Sequence, residues 1–245
     1  METVKRGYVP NDRTEFGYGW TIKMRQAGEE LYYLLNRGYD MKSAGTFIGN
    51  HYQLSERQRQ ALSRIVAPEN KLAFREQKEI KANEKLEQVY IDGFNTIINL
   101  EVALSGSLLL QGMDGAIRDL AGLRGTYKIM DRTAEAIDLM FRCLDELGAR
   151  ETIIYLDRPV SNSGRLGSLL YEVAVGYKRI FAEVKIIQDV DQVLQKKEHV
   201  ISSDSAVLDH CGSWYNLNRQ IIMQYMPSAW LYDITDSIER IKEII

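Results

Sequence analysis

The sequence is short of the residues that build covalent or soft-metal frameworks. Its 245 residues include two cysteines, Cys143 and Cys211, far apart in the chain. That excludes a disulfide framework and a cysteine zinc pattern. The three histidines, His51, His199 and His210, are scattered. A histidine-based metal centre is therefore not expected, even if His199 and His210 converge. No run approaches the ~18 apolar residues of a membrane span, and the N-terminus carries no apolar leader core. A basic excess is missing too: 31 Lys and Arg stand against 34 Asp and Glu, for a net charge of −3. Any contact with nucleic acid must then come from a local patch. Repeats and low-complexity tracts are absent. What remains is an ordinary globular composition, 45% apolar and 27% charged, and a reducing, cytoplasmic setting is the expectation.

Periodicity divides the chain in two. Residues 1–20 show no clear period and read as a loose arm. From Thr21 the apolar residues Met24, Ala27, Leu31, Leu34 and Leu35 share one helical face, ending at Gly38. Asp40 suits the cap of a second helix, and Ser55 with Gln58 forms a capping box for a third. Two short helices joined tightly at Gly49-Asn50 resemble a helix-turn-helix unit. Arg57, Arg59 and Arg64 would then offer a phosphate-contacting face, or simply a solvated basic face on a helical bundle. Residues 68–88 are dense in charge and read as a solvated helix or linker. The domain boundary falls there, giving a helical domain over 1–83 and an α/β domain over 84–245.

In the second half, strand-like and helical runs alternate, which predicts a mostly parallel sheet covered by helices. "GRLGSLLYEVAVGYKRIFAE" reads as one long helix and "VKIIQDVD" as a strand. "QGMDGAIRDLAGLRGTYK" reads as a flexible, partly basic loop carrying Arg118 and Arg124. The strands end alike. "VYID" stops on Asp92, "IIYLD" on Asp157 and "VISSD" on Asp204, while Asp189 and Asp191 close "KIIQDVD". Ligands of open parallel sheets bind outside the carboxyl ends of the strands. Carboxylates on adjacent tips can share one crevice and attract a hard divalent cation such as Mg²⁺. Asp is equally a helix cap, so each tip also has a purely structural reading. Asp209, five residues past Asp204, adds either a further ligand or an exposed carboxylate. After Asp157, Ser161, Ser163 and Arg165 would suit a phosphate at a helix start, or form an ordinary capped loop.

"YIDGFNTI" and "ISSDSAVLD" resemble the strand-end motifs of the PIN-like and NYN nuclease superfamily. The chain as a whole resembles an uncharacterised prokaryotic family, common in archaea, that joins a helical N-terminal domain to a PIN-like one. "LLNRGY", "LSERQRQALSR", "DGFN", "LDRPVSNSGRL" and "SSDSAVLD" carry that likeness. The resemblance implies a three-layer α/β domain and a Mg²⁺- or Mn²⁺-dependent phosphodiesterase. It implies Asp92, Asp157 and Asp204 as ligands, with Asn95 orienting water or substrate. Asp157 stands in a "DRPVSNSG" context that departs from the nuclease motif. Nucleic acid is the implied partner, RNA before DNA, with no membrane and with self-association left open. The other reading is a non-catalytic nucleic-acid- or nucleotide-binding regulator built on a degenerate nuclease domain. A Toprim-like site fits less well, since the first strand ends in Asp rather than Glu. A haloacid-type phosphatase fails because "DGFN" lacks the second acid of Asp-x-Asp.

Overall fold

The structure is a computed structural model and describes residues 5–81, 84–122 and 125–242. Five helices come first: α1 (Asp12–Glu15), α2 (Tyr18–Asn36), α3 (Met41–His51), α4 (Glu56–Ile65) and α5 (Glu69–Lys78). The predicted start signals operate. The Asp40 carboxylate accepts the Ser43 N–H at α3, and Ser55 and Gln58 close a reciprocal capping box at α4. The N-terminal stretch is not loose over its described part. Arg6 donates to Glu101 at 2.8 Å and to the Lys128 carbonyl at 2.5 Å, and α1 follows directly.

The chain then runs through β1 (Gln88–Asp92), α6 (Gly93–Leu104), β2 (Leu109–Gln111), β3 (Ile117–Asp119), α7 (Thr133–Glu146) and β4 (Glu151–Asp157). It continues with α8 (Ser163–Ala174), β5 (Phe181–Ile187), α9 (Val190–Leu194), β6 (Val200–Ile201), α10 (Ser205–His210), α11 (Leu217–Tyr225), β7 (Leu231–Tyr232) and α12 (Thr235–Lys242). The expected parallel sheet is present, with strand order β5-β4-β1-β6 and every pairing parallel. Counted along the chain, those four strands stand in the order third, second, first, fourth. The order therefore reverses between β1 and β6, the position at which doubly wound sheets open a ligand crevice.

Side-chain alternation builds the two faces of this sheet. Ile91, Ile154, Leu156 and Ile201 join one apolar cluster with α6, α7, α8 and α11. Ile153, Tyr155 and Val200 join a second cluster with α9 and α10. A separate sheet, β3-β2-β7, shares a third cluster with the N-terminal helices and α12. Leu108, Leu110 and Tyr232 pack there with Met24, Leu31 and Ile48. The C-terminal segment thus returns to the helices at the start of the chain.

Two element readings change. The helix through "GRLGSLLYEVAVGYKRIFAE" stops at Ala174, and Phe181 opens β5 instead. All seven residues of β5 pair with β4, and none of its side chains is fully buried. An edge strand of this kind lacks the buried apolar run that marks a central one. The supposed flexible loop holds β3 and the turn that folds it back on β2, and Arg118 lies buried within it. Arg124 lies outside the described residues.

Candidate functional site

Asp92 ends β1 and also caps α6. Its Oδ1 accepts the Asn95 N–H at 3.3 Å and its Oδ2 accepts the Ser202 hydroxyl at 3.0 Å. Gly93 is the first residue of α6 rather than the centre of a turn. A Cβ there would stand 2.6 Å from Leu156 Cδ2 and 2.9 Å from the Tyr155 carbonyl oxygen. Glycine lets α6 start directly against β4, which aims the helix N-terminus and Asp92 into the crevice.

Register places the other tips around it. Asp92 pairs with Tyr155 on β4, so Asp157 lies two residues further out, roughly 6–7 Å along the strand. Ile91 pairs with Ile201 on β6, which brings Ser202, Ser203 and Asp204 to the same end. Asp204 caps α10, its Oδ1 accepting the N–H groups of Ala206 at 2.7 Å and Val207 at 3.2 Å. Asp157 Oδ1 accepts the Val190 N–H at 3.4 Å. Asp92, Asp157, Asp191 and Asp204 line one cavity of about 510 Å³, together with Asn95 and Ser203. Its facing wall comes from Ser63 and Arg64 at the end of α4 and from Arg118 and Asp119 of β3.

Asn95 is held in one orientation. Its Oδ1 accepts both the Ser203 N–H at 2.8 Å and the Ser203 hydroxyl at 2.9 Å. A backbone N–H needs an acceptor, so the oxygen end is assigned and the NH₂ is the end left for a ligand. Asn99, one turn further along α6, donates to Ser203 Oγ at 3.0 Å. Asn95 and Asn99 therefore grip the segment that carries Asp204.

The electrostatics agree with a cluster of like charges. Burial pushes the Asp92 carboxyl up to about 7; the bonds from Ser202 and Asn95 oppose this, and Asp191 and Asp204 add to it. Burial also raises Asp157, with Asp189 adding, and raises Asp191, with Asp204, Asp157 and Asp189 adding. A raised carboxyl keeps its proton in the folded chain where the unfolded chain has lost it. Stability of the metal-free protein is therefore expected to fall as pH rises from about 4 to 7, by up to about 1.4 kcal/mol per pH unit for Asp92. Thermal unfolding across that range checks it, and added Mn²⁺ should flatten the slope.

The remaining expected residues stand elsewhere. Asp209 is held by Lys71 at 2.7 Å and Arg75 at 2.6 Å; burial raises its carboxyl, but these cations outweigh it and hold it below its ordinary range. It is a structural anchor and not a spare ligand. Arg57 pairs with Asp12 and donates to the Leu120 carbonyl at 3.0 Å, while Arg59 donates to the Leu54 carbonyl at 2.9 Å and to Asn50 at 3.0 Å. The Arg57 guanidinium braces the helical region, and Arg59, held in the same way, lines a neighbouring groove rather than the crevice that Arg64 lines. Ser161 and Asn162 stitch their loop to the Tyr127 backbone, Ser163 is buried, and Arg165 is exposed; none of these lines the cavity. Arg118 does line it, but Asp114 pairs with its guanidinium at 2.5 Å.

The matched family spans most of this architecture. Residues 81–220, more than half of the chain, match the family described as "Domain of unknown function (DUF5616)". This chain belongs to that family. Residues 23–78 match a second family, "Protein of unknown function (DUF434)". "Uncharacterized protein MJ0935" of Methanocaldococcus jannaschii is 33% identical over 188 residues, covering 76% of this chain and 89% of the relative. The expected membership in an uncharacterised family with an archaeal relative holds in that form. No solved structure matches the chain. The cavity draws on both matched segments: Ser63 and Arg64 come from the N-terminal one, and the aspartates from the C-terminal one.

Proposed function

We propose that the chain is a Mg²⁺- or Mn²⁺-dependent phosphodiesterase of PIN-like design that cleaves RNA at the cavity beyond β1, β4 and β6. The observation that carries this reading is the gathering of Asp92, Asp157, Asp191 and Asp204 around one crevice at the strand-order reversal, with Asp92 raised to about 7. Among the described residues, none of these four forms an ion pair with a basic side chain. No group of three or more His, Cys, Asp or Glu side chains is placed to hold a metal ion, again among the described residues. The donors fit a hydrated hard cation that takes one or two protein carboxylates and completes its shell with water and substrate phosphate, as Mg²⁺ does. Asp92 with one neighbouring carboxylate, Asp191 or Asp204, would hold it. Bound there, it would supply an activated water and neutralise charge on the phosphoryl group.

The chain's own residues account for binding and orientation. The Asn95 NH₂, fixed by Ser203, donates to a phosphate oxygen or to the attacking water. Arg64, 3.9 Å from Asp119, and Arg118, paired with Asp114, are the basic side chains on the crevice lining. No helix among the described residues is long and apolar enough to cross a membrane. Incubation of the purified protein with end-labelled RNA and Mn²⁺ should yield fragments that EDTA abolishes. Intact RNA and DNA at every Mn²⁺ and Mg²⁺ concentration would sink the enzyme reading. The regulatory reading, favoured by the lack of a ready three-ligand group, would then stand if RNA still bound.

A further inference from the structure

The acidic crevice does not end at α4. Ser63 lines it and also lines a neighbouring groove of about 290 Å³ between α3 and α4. The groove continues past Gln60, Arg59 and Thr46 to Gly45 and Lys42. Its charge differs in sign from that of the crevice. Lys42 is exposed, and Arg59 bonds only to carbonyl and amide oxygens, so no carboxylate neutralises either among the described residues. Glu56 is the opposing acid on the lining.

Gly45 sits in the middle of α3, where glycine is destabilising relative to alanine. Neither backbone angle nor packing demands it there. Its φ is not positive, and a Cβ would find no atom within 4 Å. The contrast is Gly49, one turn on, whose Cβ position lies 2.5 Å from the Arg59 guanidinium. What the missing side chain at Gly45 does leave is an open groove wall.

We infer that the α3–α4 groove is the path of a single-stranded polynucleotide whose scissile phosphate lies in the acidic crevice. This deepens the phosphodiester reading and rests on it for the position of the cleaved bond. From Glu56 to Ser63 the helix rises about 10 Å, the length of about three stacked nucleotides. The chain's phosphates would pass Arg64, then Arg59 and Lys42, outside the repulsive field of the aspartates. A duplex, about twice as wide and more rigid, does not suit a groove between two packed helices.

The test separates binding from cleavage. Fluorescence anisotropy in EDTA, where no metal-dependent cleavage proceeds, compares a dinucleotide with a longer single strand, as RNA and as DNA. The longer strand is expected to bind more tightly, and Gly45→Glu to reduce that advantage about tenfold through added bulk and like charge. Lys42→Glu should reduce it in the same sense, and Gly45→Ala less than Gly45→Glu. Glu and Ala both favour helix over Gly, so thermal unfolding should show these variants folded. Length-dependent, Gly45-sensitive binding without fragments in Mn²⁺ would keep the groove and remove the hydrolysis. Equal loss for short and long strands, no loss with Gly45→Glu, or a preference for polyglutamate over either polynucleotide would overturn the inference.

Discussion

Replacing Asp92 with Asn is expected to abolish metal-dependent cleavage while making the metal-free protein more stable. The two effects share one cause. Asp92 is buried, and desolvation with the facing charges of Asp191 and Asp204 disfavours its ionised form. Asparagine keeps the shape and removes the charge. Its oxygen can still accept the Asn95 N–H. Its NH₂ would then face Ser202, whose hydroxyl can accept as well as donate. The local bonds therefore survive the exchange. Above pH 7 the variant should gain on the order of 1–3 kcal/mol, since each tenfold weakening of an acid on folding costs about 1.4 kcal/mol and burial is rarely complete in solution. Near pH 4 the gain should shrink to well under about 1 kcal/mol, because Asp92 is then protonated in the folded chain and about half protonated in the unfolded one. Loss of a carboxylate that places the cation and water should lower kcat by at least about 10³-fold. Unfolding midpoints of both proteins at pH 4 and pH 8, beside cleavage rates in Mn²⁺, decide the matter. A variant that is less stable at pH 8 would mean that Asp92 is stabilising as a charge. A variant that cleaves normally would remove it from the chemistry. Such a trade of stability for a charged pocket is common where function needs a group that the fold alone disfavours.

Much of this site is legible along the chain, and the reason is topological. In an all-parallel sheet the carboxyl ends lie together, so similar strand endings in sequence become neighbours in space. Asp92, Asp157 and Asp204 are visible by that rule. Cap and ligand readings of these residues describe the same side chains. Asp92 and Asp204 cap α6 and α10 and also line the cavity. Asp191 reads as closing the strand "KIIQDVD", in a "DVD" pair, but it lies in the first turn of α9, and Asn99 is apparent only once α6 is known to begin at Gly93. The spacing of Asn95 and Asn99, one helical turn, is the available signal. What sequence does not show is how charges pair across long separations. Arg57, Asp209 and Arg118 read as free charges along the chain, yet each meets partners from distant segments. Arg64 reaches the cavity only because α4 docks beside β2 and β3. Nothing in the local pattern of α4 distinguishes Arg64 from Arg57.

Replacing Asp114 should cost about 3–5 kcal/mol, among the largest effects of any single change in this chain. Its side chain is 1% exposed and accepts from Arg75 at 2.6 Å and Arg118 at 2.5 Å. Burial alone would raise its carboxyl, but the two guanidinium groups outweigh that and hold it below its ordinary range. Arg75 has a second carboxylate in Asp209 at 2.6 Å, whereas Arg118 otherwise meets only the carbonyls of Ser203 and Arg64 among the described residues. Asp114→Asn therefore leaves Arg118 a buried cation without a directly paired carboxylate, facing Asp204 and Asp209 only at longer range. The double variant Asp114→Leu, Arg118→Met removes both charges and should recover most of the loss, since apolar replacement of a buried pair is often neutral. Urea unfolding of Asp114→Leu, Arg118→Met and the double variant measures the coupling. High salt should change it little, because a pair this buried is poorly screened. A loss below about 0.5 kcal/mol for Asp114→Asn would show that water or a neighbouring acid already compensates Arg118. The pair also has a positional consequence. Arg118 bonds the Ser203 carbonyl and Arg75 bonds Asp209, so Asp114 fixes both ends of the segment that presents Asp204. Lys71 and Arg75 belong to α5 in the N-terminal matched segment and Asp114, Arg118 and Asp209 to the C-terminal one, so this chain of charges ties α5 to the carboxylate wall. In the double variant stability should return while the crevice loses its register. Recovered unfolding free energy with persistently weak Mn²⁺ binding is the signature that separates positioning from folding.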